Sequence, residues 1–387
     1  MENIYNTQIN NMDASNSINK QTRGGYHYNG IDALRAFCCI AIVLWHVYAN
    51  SGVNIGGFFV TDILPSWNYL VYLFMMISGF GMCCGYYEKF KNKQVDIEKF
   101  YLKRYLKILP FFAVLIILDV AIQHNLTSLA EAFMELTLVF GFLPNSGMSV
   151  IGVSWTIGVI FVFYLTFPFF VFLLYKKGRA WFAFIISIVI QVLCVIYFFT
   201  DAFGITGITA RTTFISCTPF FLAGGIIYLY RDKICSFIGK HQIIGFIVCV
   251  GISVVYYFVP HDLYEYSLRD MELLIVYSFW LIYAVAATNK VFCNRGVKFV
   301  SGISMEIYLS HMVAFRVIEM TGIINALGGG WAAYMIISIV LLVILMICLP
   351  FVKKGIDFAV KLLGKYYQKI QSKKFDKKIA PDNKENS

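Results

Sequence analysis

The chain has 387 residues, 59% of them hydrophobic and 14% charged, with a mean hydropathy of +0.69. That apolar share excludes an ordinary soluble domain, and apolar runs of about 20 residues, enough to cross ~30 Å of hydrocarbon, recur along the sequence. The net charge of +10 is no sign of nucleic-acid binding, because the Lys and Arg residues gather in particular loops between those runs.

Residues 1–29 are polar and too long for the basic segment of a signal peptide, so a disordered N-terminal segment is expected there. Ten apolar spans follow, at 30–49, 67–87, 105–123, 152–175, 180–199, 211–230, 242–259, 271–288, 298–320 and 332–352. The first reads as a retained signal anchor and contains GIDALRAFCCIAIVLWHV. Its Arg35 and His46 are eleven residues apart, which returns to nearly the same helix face roughly 16 Å further along the axis. Ionisable groups inside a span are expensive and mark function by default. Arg35 reads either as a snorkelling cation paired with Asp32 or as a planar fork for phosphate. His46 reads either as an interface histidine beside Trp45 or as a general base. One cavity lined by both residues, open beside Arg104, is the expectation.

The second span holds Ser78 and Gly79 in YLFMMISGFGMCCGY. They suit close helix packing, and a serine nucleophile has no visible base beside it. FYLKRYLKILPFF then places Lys103, Arg104 and Lys107 before Pro110, serving either topology or the phosphates of a donor. In the long loop 124–151, Ser128 and Glu131 fit a capping box that opens a short helix to about Phe140. That helix is too short to span and is expected at the surface, over an acceptor site. The fourth span, VSWTIGVIFVFYLTFPFF, carries Trp155 and Tyr164, nine residues apart and so facing different neighbours. The ninth contains SMEIYLSHM, with Ser304, Tyr308 and His311. A mid-span His311 either orients a site or bonds a structural neighbour. Glu306, His311 and Arg316 follow five-residue steps and do not share one helix face. The ten cysteines form no C-x-x-C pair and lie mostly inside spans, as small hydrophobes rather than metal or redox groups.

Loops 88–104, 176–179, 231–240 and 289–298 carry most of the Lys and Arg outside the tail. Loops 50–66, 124–151, 200–210 and 321–331 carry none, and 260–270 carries only Arg269. With ten spans, the basic loops fall on the side of both termini, which the positive-inside rule puts in the cytoplasm. The tail 353–387 holds ten Lys. Its first part sets Ile356, Val360, Leu363, Tyr367 and Ile370 on one face, as in a helix lying on an anionic leaflet. Its last ~15 residues read as disordered. No inverted repeat of the transporter kind is visible.

Taken in order, these five stretches resemble the bacterial membrane acyltransferase-3 family, over about residues 30–350. The match rests on Asp32, Arg35 and His46; on Phe74 and Ser78-Gly79-Phe80; on Phe100, Lys103, Arg104, Ile108 and Pro110; and on Ser304, Ile307, Tyr308, Leu309 and His311. The fourth stretch departs from it: where the family often has Glu, five residues after the Trp, this chain has Ile160. The resemblance implies an all-α polytopic protein with about ten transmembrane helices in the cell membrane. It also implies an O-acyltransferase using acyl-CoA, acetyl-CoA in most members, as co-substrate. The acceptor would be a hydroxyl of a surface glycan or a lipid-linked precursor. No bound cofactor and no metal are expected.

Acyl transfer from a thioester to a hydroxyl needs a base, oxyanion donors and cations for the donor's phosphates. His46, Arg35 and His311 are the catalytic candidates. Arg104, Lys103, Tyr308, Trp155, Tyr164, Ser78 and Gly79 are the candidates for substrate contact. A polysaccharide or small-molecule exporter sharing the fold is the alternative, since membrane cations serve transport as readily. A sensor or scaffold is disfavoured by the retained Arg35 and His46.

Overall fold

The computed structural model describes residues 28–123, 126–138, 140–142, 151–198, 210–258, 269–289, 292 and 294–379. The N-terminal segment up to residue 27 and much of the loops between 143 and 150, 199 and 209, and 259 and 268 lie outside them. The described residues contain ten helices of seventeen residues or more and no strand. They are α1 Asn29–Ser51, α2 Leu70–Lys91, α3 Ile97–Gln123, α4 Trp155–Leu174 and α5 Lys177–Tyr197, then α6 Phe214–Ile238, α7 Gln242–Phe258, α8 Arg269–Ala286, α9 Ser304–Met320 and α10 Trp331–Ile379. In hydrocarbon a helix satisfies its own backbone, which is why apolar runs of this length adopt it. Six stretches are long and apolar enough to cross a membrane on their own: α1, the run ending in α2, α4, α5, α6 and the first part of α10. Among the other four, α3 and α9 carry the buried carboxylates Asp119 and Glu306. The protein is therefore an all-α polytopic membrane protein.

Helix ends follow local chemistry. Gly52, in the left-handed conformation at φ 67°, closes α1. Thr213 and Asn294 cap α6 and the short helix Arg295–Gly302 through their side-chain oxygens. Pro110, Pro168, Pro219 and Pro350 all lie inside helices, as packed membrane helices tolerate.

The core crosses at glycines. Gly79 on α2 lies against the Phe221 carbonyl of α6, and Gly224 on α6 against the Met76 carbonyl of α2, with no room for a Cβ at either. Gly30 approaches Ala284 of α8 in the same way. Backbone contact through small residues is how apolar helices associate without a hydrophobic force between them. Stacked rings extend this core: Tyr72 on Phe220 at 4.1 Å and Phe163 on Phe221 at 3.8 Å.

Polar ties join the rest. Ser301 Oγ donates to Asp32 Oδ1 at 2.7 Å. Arg316 pairs with the buried Asp119, and Lys353 with the buried Glu306. Thus α9 is anchored to α3 and α10 by charges that the membrane interior would not tolerate alone.

One sequence expectation changes. The short helix spans Leu126–Leu136, so Ser128 lies within its first turns and is not its cap. It buries Ser128, Ala132 and Glu135 and exposes Leu126, Leu129 and Phe133. This reverses the pattern of a helix resting on a soluble core, as expected where the outer solvent is apolar. The last span and the helix expected in the tail are continuous: α10 runs from Trp331 to Ile379, 49 residues. Its second half is rich in Lys, a good helix former.

Candidate active site

Arg35 and His46 differ by about 20° around α1 at 100° per residue. The structure turns this stripe toward α2, α3, α4 and α9. At the end that carries the basic residues, Arg35 lines a cavity of about 100 Å³ with Ser78, Lys107, Tyr164, Ser304 and Tyr308. Arg35 and Arg104 both act electrostatically on Lys107, so three cations converge there. Arg104 Nη2 donates to Tyr86 Oη at 2.8 Å, and its guanidinium lies 4.8 Å from the Tyr86 ring and 5.4 Å from that of Tyr164. Its buried Nε has no partner among the described residues.

His46 does not line that cavity, which corrects the expectation of one space shared with Arg35. Tyr308 forms the cavity's inner wall, and His311 stands behind it, its ring 5.9 Å from that of Tyr308. His46 meets His311 there, ring centres 5.0 Å apart. The intervening side chains come from α9, which the period of α1 alone cannot place.

His311 is fully buried. Its Nδ1 lies 2.6 Å from the Tyr308 carbonyl oxygen. A carbonyl only accepts, so Nδ1 carries the hydrogen and donates, leaving Nε2 as a bare acceptor in the neutral ring. That Nε2 is buried with no partner among the described residues. A bare polar atom in such a place is costly unless a proton-bearing group meets it during the reaction. Tyr308 Oη donates to the Val153 carbonyl at 3.3 Å, fixing α9 to the start of α4. Beside it, Ser154 Oγ donates to the buried Glu135 at 2.6 Å.

The remaining candidates separate. Ser78 faces the cavity, whereas Gly79 is spent on the α2–α6 crossing. Lys103 is exposed and lines nothing. Its place is taken by Lys107, three residues beyond Arg104 and so on the same helix face. Tyr164 serves the basic end, while Trp155 lies at the far end with the Arg211 guanidinium 5.7 Å from its ring. Arg211 is absent from the sequence reading. Its one signal is a cation at the mouth of a span whose preceding loop carries none.

A second cavity, about 570 Å³, lies on the opposite face of α1, against Ala33, Phe37, Ile40, Trp67 and Trp280. No charged side chain lines it. Among the described residues no three His, Cys, Asp or Glu side chains converge as a metal site.

An acyltransferase-domain family, acyltransferase-3, has a model that matches residues 28–352. The chain belongs to the acyltransferase-3 family. No curated protein and no solved structure matches it. As a member, it is a membrane acyltransferase, and the match takes in α1 through most of the membrane part of α10. Every candidate site residue described above falls within it. In this acyltransferase-3 protein the cations gather at one end and the histidine pair lies deeper, separated by Tyr308.

Proposed function

We propose that the protein moves an acyl group, acetyl in the simplest case, from cytosolic acyl-CoA to a hydroxyl of a surface glycan or its lipid-linked precursor in the cell membrane. Both termini and the Arg104 end face the cytoplasm on this reading, in keeping with the Lys and Arg loops. Arg104, Arg35 and Lys107 hold the donor's phosphates, Arg through its planar fork. The thioester reaches past Tyr308 toward His46.

His46 takes the proton of the acceptor hydroxyl as its oxygen attacks the thioester carbonyl. The new O–C bond forms, the C–S bond breaks, and the proton passes to the departing CoA sulfur. His311 orients His46: a small turn of the neighbouring ring during the reaction lets its bare Nε2 accept a His46 N–H, which leaves the other His46 nitrogen free as the base. Tyr164 is a hydroxyl donor near the path of the carbonyl, suited to developing oxyanion charge, while Tyr308, whose hydrogen is held by the Val153 carbonyl, lines that path.

The observation that carries this reading is the close approach of the His46 and His311 rings, 5.0 Å between centres, together with a buried His311 Nε2 that has no partner among the described residues. His46→Gln tests it, because Gln keeps hydrogen bonding but cannot cycle a proton near neutral pH. General-base catalysis contributes about 10²–10⁴-fold, so acylation should fall by that order while protein level and membrane insertion hold. Acyl content per surface chain is the decisive measurement. Unchanged content with reduced export would refute the enzyme reading and favour a carrier.

A further inference from the structure

Arg211 lies in the short turn Ala210–Thr212 that leads into α6, at the end of the bundle opposite Arg104. Its guanidinium is 5.4 Å from the Tyr69 ring and 5.7 Å from the Trp155 ring. Among the described residues no carboxylate lies within ion-pair distance of it, and its N–H groups have no acceptor. Arg269 approaches Tyr69 too, with its guanidinium 5.4 Å from that ring and Nη1 donating to Tyr69 Oη at 3.1 Å. Asp270 is within electrostatic reach of both arginines. Its carboxylate is already engaged by Tyr72 Oη at 3.0 Å and Gln191 Nε2 at 3.1 Å.

A half-buried cation with no ion-paired carboxylate among the described residues is unfavourable, and the more distant field of Asp270 and two aromatic faces only partly offset this. Ring contacts fix the guanidinium plane while leaving its N–H edges open. That is the form in which Arg grips a phosphate or carboxylate with two parallel hydrogen bonds. The place is also informative. Its guanidinium rests on Trp155, two residues from the Val153 carbonyl that Tyr308 Oη bonds, and its charge reaches both His46 and Tyr308, so it lies at the histidine end of the site, away from the cations at the donor end.

We propose that Arg211 is the centre of an anion-binding subsite for the acceptor, taking a phosphate or carboxylate that the acceptor carries near the hydroxyl to be acylated. Tyr69 and Trp155 hold the guanidinium, and Arg269 adds to the positive field. The assignment of this anion to the acceptor rests on the reading of His46 and His311 as the point of transfer. The acceptor is then an acidic molecule, and a neutral glycan lacks the group that Arg211 awaits.

Thermal unfolding of the full-length protein in a non-ionic detergent tests this, since a ligand that binds the folded state raises Tm. The probes are dihexanoyl phosphatidic acid and glucuronate, each against its uncharged counterpart, dihexanoylglycerol and glucose. At least one anionic probe should raise Tm where its counterpart does not. Arg211→Gln should raise the half-saturating concentration by about tenfold or more, the scale of a lost charge-assisted pair. Arg211→Lys keeps the charge without the fork and should fall between; it also stands in if the Gln variant shows no cooperative melt. A response to phosphatidic acid alone identifies a lipid-borne phosphate, and one to glucuronate alone an acidic sugar. Equal shifts from charged and uncharged probes, or shifts unaffected by both variants, overturn the subsite. CoA release is measured in parallel on His46→Gln, which should keep the Tm shift. Undiminished CoA release in that variant counts against the transfer reading, whereas the subsite stands or falls on the Arg211 variants.

Discussion

His46 and His311 come from α1 and α9, yet their rings meet at 5.0 Å. Residues that act as one unit give strongly non-additive losses. His46→Gln and His311→Gln should therefore each remove most CoA release, and the double variant should be about as slow as the worse single one. Losses that multiply would show two independent roles. The stripe of Arg35 and His46 was legible in the sequence because the helical period alone sets it. The partner of His46 was not, since no local rule says which distant helix faces α1. Lys103, Arg104 and Lys107 read as one basic cluster, whose charge alone does not show that Lys107 lines the cavity. Arg211 was hidden by its isolation, having no motif around it, and only the fold brings it to Trp155.

Among the elements, the pair α2 and α6 is held by close backbone approach at Gly79 and Gly224. Gly79→Ala should destabilise by about 1–3 kcal/mol, the usual cost of overpacking. Gly81→Ala, two residues on, meets nothing within 4 Å and should be neutral or slightly stabilising through helix propensity. Thermal melts of the two variants in detergent check the contrast, and equal melts would remove the crossing from the account. The ten apolar runs matched the ten long helices because hydrocarbon dictates both length and composition. The short helix Leu126–Leu136 was misread because Ser128 and Glu131 match a pattern tuned to water. In the structure the polar side of that helix faces the protein, where Glu135 accepts from Ser154. At residue 352 the family match ends while α10 runs on, because the change from apolar to basic sequence alters what surrounds a helix without ending it.

For the molecule as a whole, the charge bias of the loops predicts that the C-terminus and the 124–151 loop lie on opposite sides. Reporter fusions at Ser387 and within that loop should give opposite signals, and the same signal from both would end the ten-span arrangement. The contacts of α1 carry a different consequence. Asp32 is held by Ser301, and the Leu44 carbonyl by the hydroxyl of Tyr334, 269 and 290 residues further along. His46 likewise waits for His311. During synthesis the first helix enters the membrane long before any of these partners leaves the ribosome. Its polar groups must be sheltered by water, lipid headgroups or the insertion machinery for most of translation. The reaction centre comes into being only after the closing helices insert, so a nascent chain stopped short of α9 embeds most of its mass and has no active site at all.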